Sequence, residues 1–209
     1  MKKLKTANRI SSLFVILFFT LLNSCSDNDD DVLPTLTNQT LTTSDSDALL
    51  FMLEEEKLAR DTYSYLNNLW SLSQFANIKN SEQSHMDAIE SLLISYRIEY
   101  NILPEGNFAN EDLQEYYDRF VLDGAISQAN ALQIGATIED LDIVDLQNEM
   151  DATTNTDIKA VFESLQCGSR NHLRSFVSSI ENSGDTYIPQ FLSQNEYDTI
   201  ISGNHQQCN

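Results

Sequence analysis

A glutamate and a histidine interrupt the apolar face of residues 77–96, NIKNSEQSHMDAIESLLISY. Read as a helix, this stretch aligns Phe75, Ile78, Met86, Ile89, Leu92, Leu93 and Tyr96 along one side. Glu82 and His85 fall inside that stripe, three residues apart. Three residues are close to one helical turn, so the two side chains share a face. Burying a carboxylate and an imidazole is costly unless something compensates them. A metal ion would compensate both. Whatever fold the chain adopts must therefore bring further ligands, or hydrogen-bond partners, to this face from other segments.

Those segments read as helices. Sustained period-two alternation is missing, and 209 residues hold only 6 Gly and 3 Pro, which predicts an all-α fold. The first long helix is expected to start near Ser44 or Ser46 and to run to about Trp70. Ser44-x-x-Asp47 resembles a capping box with Asp in place of Glu. Its apolar face carries Leu49, Met52, Leu53, Ala59, Tyr63, Leu66 and Trp70, with Glu56 at the edge, two turns before Tyr63. Glu55 is flanked by a second partial stripe, Phe51, Leu58 and Leu69, and periodicity does not choose between the two glutamates. After the second helix, Pro104-Glu105-Gly106 marks a turn. Asn110 is placed to cap a shorter helix over 111–122, and Gly124 ends it. Ser127 is placed to cap a helix reaching about Met150, whose face holds Leu132, Gly135, Glu139, Asp142, Leu146 and Met150. Thr156 is read as the cap of the last long helix, 157–182. Its stripe is Ile158, Val161, Phe162, Leu165, Ser169, His172, Leu173, Phe176 and Ile180. Residues 193–201 suggest a short terminal helix, and His205 reads as a bystander in a polar tail.

Four long helices thus each place ligand-type groups mid-helix on the face to be buried. These are Glu56 or Glu55, Glu82 with His85, Glu139 with Asp142, and His172. Carboxylates and imidazoles without thiolates suit iron, manganese or zinc. Singly, each placement has a plain reading: a core histidine is more often hydrogen-bonded than ligating, and a run such as Glu54 to Glu56 more often marks a solvated face. Agreement among four helices favours a metal site over a buried hydrogen-bonded network.

The amino-terminal segment reads as a signal. Lys2, Lys3, Lys5 and Arg9 precede the apolar run 13–22, which is too short to span a bilayer as a stable helix. Leu22-Asn23-Ser24-Cys25 resembles a bacterial lipobox. That implies cleavage after residue 24, lipidation of Cys25 and a place in the cell envelope as an outer-membrane lipoprotein. The plainer reading is a secretory signal with an incidental cysteine. Residues 25–44 are acidic and polar and read as a tether. Their SDNDDD tract resembles surface-export signals of some Bacteroidetes lipoproteins, or is a solvated spacer. Residues 45–202 are then one domain and 203–209 a polar tail. The formal charge is −20, and the signal holds four of the twelve basic residues and no acid. So strong an acidic balance excludes nucleic acid as a partner and suits a protein that attracts cations. Cys167 and Cys208 suggest either a disulfide or two free thiols.

The stretches FMLEEEKLARDTY, NIKNSEQSHMDAI, GATIEDLDIVDLQ and GSRNHLRSF resemble the domain of unknown function 2202 (DUF2202), a family placed in the ferritin-like superfamily. This resemblance implies an antiparallel four-helix bundle with a long crossover containing a short extra helix. The helix motifs are similar to those of rubrerythrins. Glu-x-x-Ala-Arg-x-x-Tyr corresponds to Glu56, Ala59, Arg60 and Tyr63, which favours Glu56 over Glu55 as ligand. Glu-x-x-His corresponds to Glu82 and His85, and the third-helix acidic pair to Glu139 and Asp142. In the fourth helix the expected Glu-x-x-His is Ser169-x-x-His172, so one glutamate is missing. The resemblance implies a di-iron site, or a mononuclear one given Ser169, with manganese as the other candidate. Glu56, Glu82, His85, Glu139, Asp142 and His172 would be its ligands, and Tyr63 would hydrogen-bond one of them. The implied activity is of ferroxidase or peroxide-reducing type. The competing reading is a non-enzymatic cell-surface module with a polar network in place of metal. A lipid-anchored tether argues against a cage and is compatible with a homodimer.

Overall fold

The computed structural model describes residues 41–208. The proposed signal, Cys25 and most of the tether lie outside them. Among the described residues there are six helices and no strand: α1 (Thr43–Trp70), α2 (Ser73–Tyr96), α3 (Glu111–Gly124), α4 (Gln128–Ala152), α5 (Thr156–Asn182) and α6 (Gln194–Ser202). None is long and apolar enough to cross a membrane.

Local chemistry sets the helix ends. The box that starts α1 lies two residues before the expected one. Thr42 accepts from the Asp45 amide at 3.1 Å, and Asp45 accepts from the Thr42 amide at 2.9 Å. Thr153, just past α4, also donates to buried Asp45, so a tertiary contact selects this box over Ser44 and Asp47. Similarly, Asn155 rather than Thr156 caps α5, accepting from the Asp157 and Ile158 amides. Asn110 and Ser127 cap α3 and α4 as their positions predicted. Ser71 and Arg97 end α1 and α2 in the left-handed region, at φ 53° and 59°.

α1 packs along α2 and α4 along α5, and the two pairs meet through α1–α4 and α2–α5 contacts. α3 lies on α1 and α4, and α6 lies on α5. The apolar interior forms two clusters. One contains Leu58, Tyr63, Leu66, Phe75, Ile78, Ala136, Leu173 and Phe176. The other contains Leu49, Met52, Leu53, Met86, Ile89, Leu146, Phe162 and Leu165. Between them every long helix switches to polar residues: 54–57 on α1, Glu82 and His85 on α2, Glu139 and Asp142 on α4, Ser169 and His172 on α5. A polar layer between two apolar ones is where a bundle can hold ligands at fixed separations.

Two side-chain anchors tie the connections to this frame. Lys57, 2% exposed, donates to Asp61 at 2.5 Å and to the Pro104 and Asn107 carbonyls at 3.2 and 3.0 Å. Buried Asp140 accepts from Tyr187 and from the amides of Gln190, Phe191 and Leu192. A disulfide joins Cys167 of α5 to Cys208 of the tail, which closes the question the sequence left open.

Candidate metal centre

The polar layer gathers residues from all four long helices. Glu56, Glu82 and His85 each offer an atom within 4.8 Å of the others, and so do Glu82, Glu139 and His172. Glu82 belongs to both sets. The three glutamates are at most 2% exposed, and the histidines are 12% exposed. His85 Nδ1 lies 2.9 Å from Glu82 Oε2 and 3.1 Å from Glu56 Oε2. His172 Nδ1 lies 2.9 Å from Glu82 Oε1 and 3.3 Å from Glu139 Oε2. The imidazoles stack with centroids 5.6 Å apart. Both therefore turn their Nδ1 atoms to the carboxylates.

Hydrogen bonding satisfies this layer only in part: His85 Nδ1 bonds Glu56 Oε2, and other atoms stay unpartnered. Glu82 Oε1 and His172 Nδ1 are 2.9 Å apart, yet neither has a hydrogen-bond partner. Glu56 Oε1 also lacks one. A buried polar atom without a partner costs on the order of 1–3 kcal/mol. Atoms that crowd together without bonding fit a set of donors aimed at a common point, and the residues present accordingly fit a cation.

Electrostatics support the same reading. Burial pushes Glu56 up to about 7, with Glu82 adding to the rise and His85 opposing it. Burial and Glu82 likewise raise Glu139 to about 7. Glu82 is held low: burial would raise it, but His172 and His85 more than offset this. Burial alone would lower His172, while Glu82 and Glu139 lift it to about 10. Without a cation, burial and the neighbouring charges keep protons on groups that are normally ionised or neutral.

The other expected residues fall as follows. Tyr63, wholly buried, donates to Glu139 Oε1 at 2.5 Å. Its ring packs on Phe75 and Phe176, with centroids 5.7 and 5.4 Å away. Gly135 makes room for this wall, since a Cβ there would lie 2.4 Å from the Phe176 ring. Asp142 joins neither set. Ser169 donates to its Oδ2, and its Oδ1 has no partner. The position expected to hold a glutamate thus holds the hydroxyl that fixes Asp142.

Residues 45–204 match the family model described as "Uncharacterized protein domain (DUF2202)". The chain belongs to the DUF2202 family. It is 44% identical over 179 residues to the uncharacterized protein MJ0754 of Methanocaldococcus jannaschii, covering 85% of this chain and 97% of that one. The crystal structure of hypothetical protein MJ0754 from that source, named there Methanococcus jannaschii DSM 2661, superposes with a TM-score of 0.80 at 45% identity. The match covers 82% of this chain and 99% of the other.

Within this DUF2202 chain, Gly168 sets the seat of one imidazole. A Cβ at Gly168 would lie 2.7 Å from His85 Nε2, far inside van der Waals contact. Gly168→Ala is therefore expected to push the His85 ring off its carboxylates. Ala favours helix by about 1 kcal/mol, so the fold should survive. The affinity with which Glu56, Glu82 and His85 would take a cation should fall by about tenfold or more. Calorimetric titration with Mn(II), beside a thermal melt, checks both parts.

Proposed function

We propose that this protein is a ferritin-like, metal-binding redox protein with a two-ion carboxylate–histidine centre. Glu56, Glu82 and His85 would hold one ion, Glu82, Glu139 and His172 the second, with Glu82 shared. The observation that carries this is the convergence of two ligand sets on Glu82, with its Oε1 and His172 Nδ1 buried, 2.9 Å apart and without a hydrogen-bond partner. The ferritin-like four-helix architecture is part of the proposal. One apolar cluster takes the amino-terminal halves of α1 and α5 and the carboxy-terminal halves of α2 and α4. That alternation supports α1 and α5 running one way and α2 and α4 the other, with residues 97–127 crossing between.

The donor set suits iron or manganese, and bound iron would supply electron transfer to oxygen or peroxide. The chain's own residues do the rest. Tyr63 fixes the Glu139 carboxylate by donating to it. The aromatic wall of Tyr63, Phe75 and Phe176 keeps water from that side. We place the domain outside the cytoplasm, on a tether lipidated at Cys25, and compatible with a homodimer.

A second reading is a structural cell-surface module whose layer is only a polar network. The hydrogen-bonding contact of His85 with Glu56 and the serine at Ser169 favour it. Metal content separates the two. After loading with Fe(II) or Mn(II), wild-type protein should retain two ions per chain. His85→Ala and His172→Ala should each lose one, because each histidine serves one set. No metal above background, with both variants merely less stable, would leave the structural module.

A further inference from the structure

In a chain of formal charge −20, the Arg170 guanidinium meets only neutral acceptors among the described residues. Its Nε donates to Gln206 Oε1 at 3.2 Å, and its Nη1 donates to Gln166 Oε1. Its Nη2 makes no hydrogen bond to a described residue. Arg174 lies one turn further along α5, on the same face. It too is bonded to neutral oxygens, the Ile200 carbonyl at 2.8 Å and Asn171 Oδ1 at 2.9 Å. Like charges one turn apart repel each other, and among the described residues no carboxylate pairs with either.

We propose that Arg170 anchors a binding site for a small organic monocarboxylate, in the cavity between α4, α5 and α6. The cavity holds about 350 Å³, a size that suits a small molecule. Ile143, Val144, Phe191, Leu192 and Ile200 give it an apolar wall, and Arg170 lines it as well. An apolar wall with one guanidinium matches a ligand that has an apolar body and a single carboxylate. The planar guanidinium recognises a carboxylate through parallel N–H groups. Glu196 also reaches the cavity, but its Oε2 is engaged at the start of α6, accepting from the Ser193 amide and hydroxyl at 3.0 and 2.6 Å.

The guanidinium is oriented before any ligand arrives. Gln166 is 7% exposed, and its Nε2 donates to the Ile143 carbonyl at 3.0 Å and to Gln147 Oε1 at 3.2 Å. That fixes the amide with its Oε1 toward Arg170. Gln206 belongs to the tail that the Cys167–Cys208 disulfide ties to α5, and its own amide donates to Asn171 Oδ1 at 2.9 Å. Two fixed neutral acceptors thus hold one edge of the guanidinium and leave Nη2 for a ligand, which lowers the ordering cost of binding. Arg170 and His172 are two residues apart, about 200° around the helix. The cavity shares no residue with either histidine-containing set, so the proposal does not rest on the metal centre.

Hexanoate, hexanamide, acetate and inorganic phosphate are the probes, each titrated by calorimetry into the full chain as wild type, Arg170→Met and Arg170→Lys, with a thermal melt of each protein. Hexanoate should bind wild type at one per chain, about tenfold or more tighter than hexanamide, which has the same body without the charge. Acetate should bind more weakly than hexanoate, because it leaves the apolar wall uncovered. Arg170→Met keeps the apolar stem and should weaken hexanoate by about tenfold or more. Arg170→Lys keeps the charge without the planar fork and should fall between the two. The comparison of hexanoate with hexanamide uses wild type alone, so it decides even where a variant melts early. No hexanoate binding, equal binding of hexanoate and hexanamide, or undiminished hexanoate binding in Arg170→Met would overturn the site. Phosphate binding more tightly than hexanoate would overturn the carboxylate assignment, because the apolar wall would then take no part.

Discussion

Stripped of metal, the protein is expected to lose stability as the pH rises from about 5 to about 8, and saturating Mn(II) is expected to abolish that loss. The sign follows from the direction of each shift. Glu56 and Glu139 have folded values near 7 against 4.5 ordinarily. Below about 4.5 both are protonated in the folded and unfolded chain alike. Between 4.5 and 7 only the folded chain holds those protons, so unfolding releases them and rising pH favours it. His172, raised to about 10 from 6.5, continues the trend. Its stabilising proton is fully present below about 6.5 and is lost as the pH climbs through its folded value. Glu82, held low, acts oppositely: its contribution is present above its unfolded value and lost only as the pH falls through its folded one. In the window tested it is ionised in both states and adds no slope. A carboxyl moved from 4.5 to about 7 represents roughly 3 kcal/mol taken alone, at about 1.4 kcal/mol per pKa unit. Metal reverses the balance because its ligands must be deprotonated, so binding strengthens as protons leave. Urea unfolding in chelator and in Mn(II), across this range, gives the two curves. A metal-free midpoint that stays flat or climbs with pH would mean that the buried carboxylates are compensated by neither protons nor a cation.

How much of this layer was legible in the sequence depended on whether one helix face was enough to decide. Glu82, His85, Glu139 and His172 stand out because each interrupts a stripe that is otherwise apolar or small, and burial follows from the stripe. Glu55 was offered only as an alternative to Glu56, and periodicity did not show that both are buried. Neighbouring helical residues point about 100° apart, so Glu55 and Glu56 can both be buried only if α1 is covered on two sides. It is covered by three helices: α2, α3 and α4 all pack against α1. The run, whose plainer reading was a solvated face, has three separate tasks. Glu54 accepts from the Ala109 and Asn110 amides, both at 2.8 Å. Glu55 meets Asp145, and Glu56 meets His85. The partial stripe of Phe51, Leu58 and Leu69 was the available signal. Leu58 is fully buried, but Leu69 is 47% exposed, so that stripe fades before it becomes convincing.

Helix ends show the same division. Threonine at 42 and serine at 44 head equivalent local patterns, each with an aspartate three residues on. Only the first aspartate also meets Thr153, and that partner lies more than a hundred residues away. Local chemistry proposes the caps, and packing chooses among them.

Asp61→Ala is expected to cost about 3–5 kcal/mol, the range for leaving a buried charge without its partner. Asp61 is 1% exposed and serves four donor atoms from three residues. Its Oδ1 accepts from Arg60 Nε and Nη2 at 2.9 and 2.7 Å. Its Oδ2 accepts from Lys57 at 2.5 Å and from the Gly106 amide at 3.0 Å. Removing it strands the Lys57 ammonium in the interior, against two carbonyls and the Phe108 ring, 4.1 Å from the centroid. It also frees the turn at Gly106 from α1. Lys57→Met should cost less, since Asp61 would keep Arg60 and the Gly106 amide and the methionine would still pack on Phe108. The double variant should therefore be less destabilised than the sum of the two, because the stranded charge has gone. Denaturant unfolding of the four proteins yields this cycle. An Asp61→Ala cost below about 1 kcal/mol, the scale of an exposed pair, would mean that the segment before α3 is not held here. The magnitude matters because Asp61 and Glu56 lie on one helix: the carboxylate that pins the crossover also steadies the stretch of α1 that carries a proposed ligand.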